Sequence, residues 1–151
     1  MEFKDIAMVD ISEKEPVKRV ATATGRIYLK ESTIQIILDN GIKKGNPMIV
    51  GEIAAINSIK LTPQIIPLCH QIPIKKVSFD TEIKERYIQV YVSVTTIAQT
   101  GVEIEAIVGV TTFLNVIWDM TKYLEKDENG QYPTTKITDI HVIKKTKQQL
   151  N

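Results

Sequence analysis

The sequence predicts an α+β fold, a four-stranded antiparallel sheet covered on one face by helices, in the order βαββαβ with an extra helix in the first crossover. Three observations lead there. Four segments, near 17–30, 74–84, 86–98 and 135–145, read as strands, and two of them (VSFDTEI and YIQVYVSV) alternate apolar with polar residues. Helical signals fall between the first and second strands and again between the third and fourth. The 151 residues, 43% hydrophobic and 25% charged, suit one domain spanning 1–151, with flexible ends expected over 1–16 and 146–151.

Taken in order, Val17 to Lys30 is rich in β-branched residues, and Gly25 within it predicts a bulge. Ser32-Thr33 offers an N-cap to a short helix that carries Ile34, Ile36, Ile37 and Leu38 and stops at Asp39-Asn40-Gly41. Asn46-Pro47 opens a second helix, with proline at its first position, running to about Ile59. Three prolines between Thr62 and Pro73 exclude a long regular element. The next two strands break near Glu85 and form a hairpin, and a Gln99-Thr100-Gly101 turn leads into a helix from about Val102 to Lys126. Asn129-Gly130 ends that helix or its frayed tail, and the last strand runs from about Thr135 to Lys145.

Between Val102 and Trp118 this long helix is apolar nearly all round. A helix apolar on every side is buried on every side, and one sheet covers a single face. Another subunit is the expected cover; the alternative is that the first two helices supply it.

Composition narrows the function classes. Nineteen basic residues stand against 18 acidic ones, too even a balance for a dedicated nucleic-acid binder but no obstacle to a small anionic ligand. Sixteen of the basic residues are Lys, which can lose its proton when buried as Arg cannot. Cys69 is the only cysteine, so neither an intrachain disulfide nor a cysteine zinc cluster can form. No apolar run reaches the roughly 18 residues of a membrane span, and MEFKDIAMVD lacks the pattern of a secretory signal. A cytoplasmic protein without membrane contact is expected. RNA binding on the sheet is disfavoured, because its aromatic stacking motif is missing and only 6% of residues are aromatic.

Four sites could carry chemistry. In IPLCHQIP (Ile66 to Pro73) prolines bracket Cys69-His70, which fixes the imidazole as a candidate acid, base or phosphate ligand. Cys69 reads as a small hydrophobe, and His141, in the last strand, as structural. Glu103 and Glu105 open the long helix, either favouring its dipole or contacting a base with a guanine-like N–H edge. Asp119 and Lys122, three apart, project from one helix face, as a surface ion pair or as a carboxylate that positions and tunes a working lysine. Lys43-Lys44-Gly45 precedes a helix start, where lysine beside glycine can approach a phosphate and solvated lysines are also common. Together these residues suit acid–base work on an anionic substrate. Glu105 and Asp119 share a helix face but lie roughly 20 Å apart at about 1.5 Å per residue. Either they serve different functions or the site joins two subunits.

As a set the motifs are specific. MVDIS (Met8 to Ser12), Lys44-Gly45, LTPQIIPLCH (Leu61 to His70), TGVEIEA (Thr100 to Ala106) and WDMTK (Trp118 to Lys122) follow in order. The chain resembles the molybdenum cofactor biosynthesis protein C family, the cyclic pyranopterin monophosphate synthases, from about residue 8 to 125. The resemblance implies a ferredoxin-like fold and conversion of 3′,8-cyclo-7,8-dihydroguanosine 5′-triphosphate to cyclic pyranopterin monophosphate with release of pyrophosphate. It implies a homohexamer, a trimer of dimers with its active site at the dimer interface, receiving substrate from an upstream radical enzyme. No protein-bound metal is implied, only a magnesium ion that the triphosphate could bring with it. Carried over by position, the catalytic residues are Asp119, Lys122, Lys44 and His70. Substrate contacts fall on Leu68, Cys69 and His70 and on Glu103, Ile104 and Glu105, with Ile104 where the family usually has Met. The chain departs from the family pattern at Gln99, where a Lys is frequent, at Glu52, where an Arg is usual, and in its C-terminal KKTKQQLN, where Lys145 or Lys147 stands for a lysine of a glycine-rich segment. The alternative reading is a non-catalytic nucleotide-binding or assembly module on the same fold.

Overall fold

Alternation in the sequence becomes burial in the sheet. Ile88, Val90, Val92 and Val94 of one strand are wholly inaccessible, while the residues between them are half exposed on the other face. The computed structural model describes residues 1–151 as β1 (Val17–Tyr28), α1 (Glu31–Leu38), α2 (Pro47–Lys60), α3 (Thr62–Ile65), β2 (Lys76–Ile83), β3 (Tyr87–Ala98), α4 (Glu103–Glu125) and β4 (Lys136–Gln148). The sheet order is β2-β3-β1-β4 with every neighbouring pair antiparallel. This is the ferredoxin-like α+β arrangement expected, its first crossover carrying the additional helix α2 and one further turn, α3.

Several local expectations change. The β1–β3 ladder runs unbroken through Gly25, while the β1–β4 ladder shifts register beside it, between Thr24 and Arg26, where the extra residue lies on β4 and Asp139 takes φ 58°. Gly25 also has a packing job: a side-chain carbon there would come within 3.0 Å of Val110, Ile140 and Leu114, so its smallness lets α4 and β4 approach β1. Lys30, not Ser32 or Thr33, stands at the N-cap of α1, with no side-chain cap bond. Thr33 is buried and donates its hydroxyl to Glu125 instead. Asn46 does cap α2, its side-chain oxygen accepting from the N–H groups of Met48 (2.9 Å) and Ile49 (3.3 Å). Helix α4 stops at Glu125, and Asn129-Gly130 belongs to a separate turn built on the Asp127 carboxylate. β4 extends three residues beyond the expected end, taking in 146–148, and the lead-in hydrogen-bonds to His70 and Gln99 through the Val9 and Lys14 carbonyls.

The cover of α4 comes from within the chain. One face packs on the sheet through Val110, Leu114 and neighbours; on the other, Phe113 meets Gly51 and Ile59 meets Gly109, so α2 lies close against α4. The all-round apolar surface of α4 therefore does not require a second subunit. Uncovered apolar side chains appear one layer further out, at Ile49, Val50 and Ile53 on α2. By length and composition alone α4 could cross a membrane, but it is the central core helix, with 56% of its most apolar window buried.

Candidate active site

The two ends of α4 hold two different clusters. At the C-terminal end, Gly45 takes φ +114°, a conformation that favours glycine, and closes the loop before α2. The Tyr123 hydroxyl accepts the Lys43 N–H (3.1 Å), and the Lys43 ammonium lies 5.1 Å from the centroid of the same ring. So held, the loop delivers Lys44 to Asp119. The Asp119 carboxylate bridges two lysines: Lys44 Nζ to Oδ2 at 2.7 Å and Lys122 Nζ to Oδ1 at 2.9 Å. The Lys44 and Lys122 hydrogen bonds hold Asp119 down at about 2. Asp119 in turn raises Lys122 above the ordinary lysine value. Lys122 is 43% exposed and protonated at neutral pH, so the cluster has two cations to one anion and a surplus positive charge facing solvent. A buried lysine that sheds its proton is not what this chain builds here.

At the N-terminal end a cavity of about 500 Å³ opens between the residue 68–70 loop, the start of α4 and the N-terminal segment. Leu68, Cys69, His70, Glu103, Ile104 and Glu105 all line it. Glu105 is buried, which raises its carboxyl above the usual range, and no other side chain bonds to it. Burial likewise raises the Cys69 thiol, with the Glu105 charge adding to the effect, so Cys69 is a protonated thiol rather than a ready nucleophile. For Glu103 burial acts upward, but its own backbone N–H, the Lys145 hydrogen bond and Arg19 together outweigh it and leave the carboxyl lowered. Lys145 reaches Glu103 from β4 at 3.1 Å. His70 Nε2 lies 2.6 Å from the Val9 carbonyl. A carbonyl only accepts, so Nε2 carries the proton and a neutral His70 keeps Nδ1 free to accept one.

One chain therefore unites Lys44 with Asp119 and Lys122, and unites His70 with Glu103 and Glu105, but it separates the two groups by the length of α4. The meeting of Lys44 with Asp119 is a contact across 75 residues that no local spacing announces. Residues absent from the sequence-based set also enter: Val9, Ile11 and Lys14 wall the cavity, and Arg19 lies beside Glu103 and Lys145. Only MVDIS, quoted above as a motif, hinted at the first of these. His141 bonds its own strand, Nδ1 lying 2.7 Å from the Asp139 carbonyl. No three His, Cys, Asp or Glu side chains gather as a protein metal site needs.

Residues 8–148 match the MoaC family. The chain belongs to that family. A probable cyclic pyranopterin monophosphate synthase of Methanosphaerula palustris is 50% identical over 142 residues, covering 94% of this chain and 92% of its own length. Another of the same name from Pyrococcus horikoshii is 48% identical over 95% of this chain and 91% of its own. A protein of Methanothermobacter thermautotrophicus, 46% identical over 97% of this chain and 92% of its own length, is named a probable cyclic pyranopterin monophosphate synthase accessory protein. In this MoaC chain Lys44, Asp119 and Lys122 lie in one cluster, and Leu68, Cys69, His70, Glu103, Ile104 and Glu105 in the other.

Proposed function

We propose that the chain is a cyclic pyranopterin monophosphate synthase of molybdenum cofactor biosynthesis. It converts 3′,8-cyclo-7,8-dihydroguanosine 5′-triphosphate to cyclic pyranopterin monophosphate and pyrophosphate. The observation that carries the reading is the Asp119 carboxylate shared between Lys44 and Lys122, a pair of ammonium groups held together in a chain of this family. Forming the cyclic phosphate makes a bond from a hydroxyl oxygen to the α-phosphorus and breaks the bond to the oxygen bridging to the β-phosphate. Negative charge grows on the departing pyrophosphate, where two fixed cations stabilise it. The hydroxyl proton goes to a base, and His70 Nδ1 is the free acceptor in the other cluster. Glu105, with its raised carboxyl, reads the base-derived ring.

Acting together on one small substrate, the two clusters need to come from different subunits. We propose a dimer interface that juxtaposes the C-terminal end of one α4 with the cavity of its neighbour, within a homohexamer. The uncovered Ile49, Val50 and Ile53 supply apolar surface for subunit contact. A cytoplasmic setting and handover of substrate from the upstream radical enzyme complete the proposal.

The test is pyrophosphate release from the cyclised nucleotide by wild type, Lys44→Ala and Lys122→Ala. Turnover that survives both substitutions sinks the lysine assignment. Binding without turnover by wild type favours the nucleotide-binding module, the role nearest the accessory name carried by the Methanothermobacter relative. For the shared site, Lys122→Ala and His70→Ala proteins are co-refolded. Mixed dimers with one intact site regain about a quarter of wild-type activity by random pairing, whereas a site wholly within one chain regains none.

A further inference from the structure

The segment Val9 to Lys14 has no regular structure, yet two side chains, His70 and Gln99, fasten it along the wall of the cavity and a third, Asp10, folds it on itself. His70 Nε2 donates to the Val9 carbonyl at 2.6 Å. Asp10 folds the segment on itself, its carboxylate accepting from the Ser12 N–H (2.9 Å) and hydroxyl (2.6 Å). Gln99, the first residue after β3, donates Nε2–H to the carbonyls of Lys14 (2.9 Å) and Ser12 (3.5 Å). Carbonyl oxygens facing the amide require the nitrogen there, so this orientation of Gln99 is fixed by its partners. The strap so held contributes Val9, Ile11 and Lys14 to the cavity wall opposite Glu103 and Glu105, and Lys14 is the cation it brings.

We infer that Gln99 is a positioning residue: it clamps the Val9–Lys14 strap, which closes the substrate cavity and presents Lys14 to the anionic substrate. The inference rests on the cavity being the nucleotide site proposed above. What the strap requires at position 99 is a long side chain with a donor at its tip, a demand that glutamine and lysine both meet. Glutamine meets it without adding a second positive charge beside Lys14.

The experiment compares wild type with Gln99→Met, which keeps the length and removes the donor, and with Gln99→Lys, which restores a donor. Three readouts are taken: the rate of tryptic cleavage after Lys14, the Kd for GTP by equilibrium titration, and turnover of the cyclised nucleotide. In Gln99→Met, cleavage accelerates, Kd and KM rise about tenfold, kcat stays within about twofold and Tm within about 2 °C, the hydrogen bonds being exposed. Gln99→Lys recovers both the protection from trypsin and the affinity. Unchanged cleavage in Gln99→Met overturns the clamp, and faster cleavage with unchanged Kd and KM overturns the link from strap to substrate. Wild type that binds GTP without turnover refutes the proposed activity, while the cleavage and Kd comparisons still decide the role of Gln99.

Discussion

Three carboxylates on α4 meet three different fates, and the contrast between the ends of this helix separates function from support. Near the C-terminus, Glu125 is completely buried and fully satisfied: the Lys30 N–H reaches both oxygens at 3.2 Å, the Thr135 hydroxyl donates at 2.7 Å, and Thr33 donates as well. Two turns earlier, Asp119 is more than half exposed and bound only to two lysines. At the N-terminus, Glu105 is as buried as a core residue but has no side-chain partner and opens on a cavity. A buried carboxylate with every lone pair used ties α1, β1 and the entry to β4 together. An exposed ion pair contributes little to stability, and burying a carboxyl that has only its own backbone N–H as partner works against it. Neither arrangement adds much to the stability of the fold, which sets both apart from Glu125.

The contrast can be broken by substitution. Asp119→Asn leaves two ammonium groups facing a neutral amide; kcat for pyrophosphate release falls about 100-fold or more, while Tm moves by less than about 3 °C. A large thermal loss with full activity reverses the assignment of this end.

Glu125→Ala does the opposite. Three buried donors lose their acceptor, at a cost of about 3 kcal/mol, or roughly 10 °C in Tm for a chain this size. The residual folded protein retains kcat within about threefold. Calorimetry and a steady-state assay at 20 °C check both numbers.

Titration sharpens the comparison further. Asp119, lowered to about 2, contributes stability that is complete above its unfolded pKa of about 3.9 and lost as pH falls through about 2. Glu105 has the reverse sign: its raised carboxyl holds a proton in the native state that the unfolded chain releases. Stability is thus lost as pH rises from the unfolded value through the folded one. Carbon-13 NMR of the two carboxyls reads opposite displacements, and Lys122→Met moves Asp119 back toward its ordinary value. Glu105→Gln removes that pH-dependent loss and, unlike Glu125→Ala, leaves the protein at least as stable at pH 7.

The smallest effect lies in the loop that carries Lys44. Asn46→Ala unpairs two N–H groups at the start of α2 and costs about 1 kcal/mol, near 3 °C in Tm. Its influence on KM measures how far the cap holds Lys44 in place; unchanged KM assigns that task to Tyr123 alone.

The order of elements along the chain, the Asn46-Pro47 start of α2 and the bounds of α4 were legible because each rests on residues close in sequence: alternation, a cap, a periodic apolar run. Misread features all have partners far along the chain. Ser32-Thr33 looks like a cap until Glu125, 92 residues from Thr33, is brought to it. The apolar surface of α4 looks like a subunit contact until α2 folds over it. At the site, residue types were legible and pairings were not: Asp119 with Lys122 follows from a spacing of three, but Lys44 completes the triad only in three dimensions.

The sequence by itself determined the element types, the single core and the chemical alphabet of both clusters, because hydrophobic period and capping act over a few residues. Tertiary structure decided which charges meet, which carboxyls are satisfied and that one chain keeps the two clusters at opposite ends of α4. Burial and hydrogen bonding depend on neighbours up to 95 residues away, as between Lys30 and Glu125, and a helix with a fixed rise per residue holds its two ends apart.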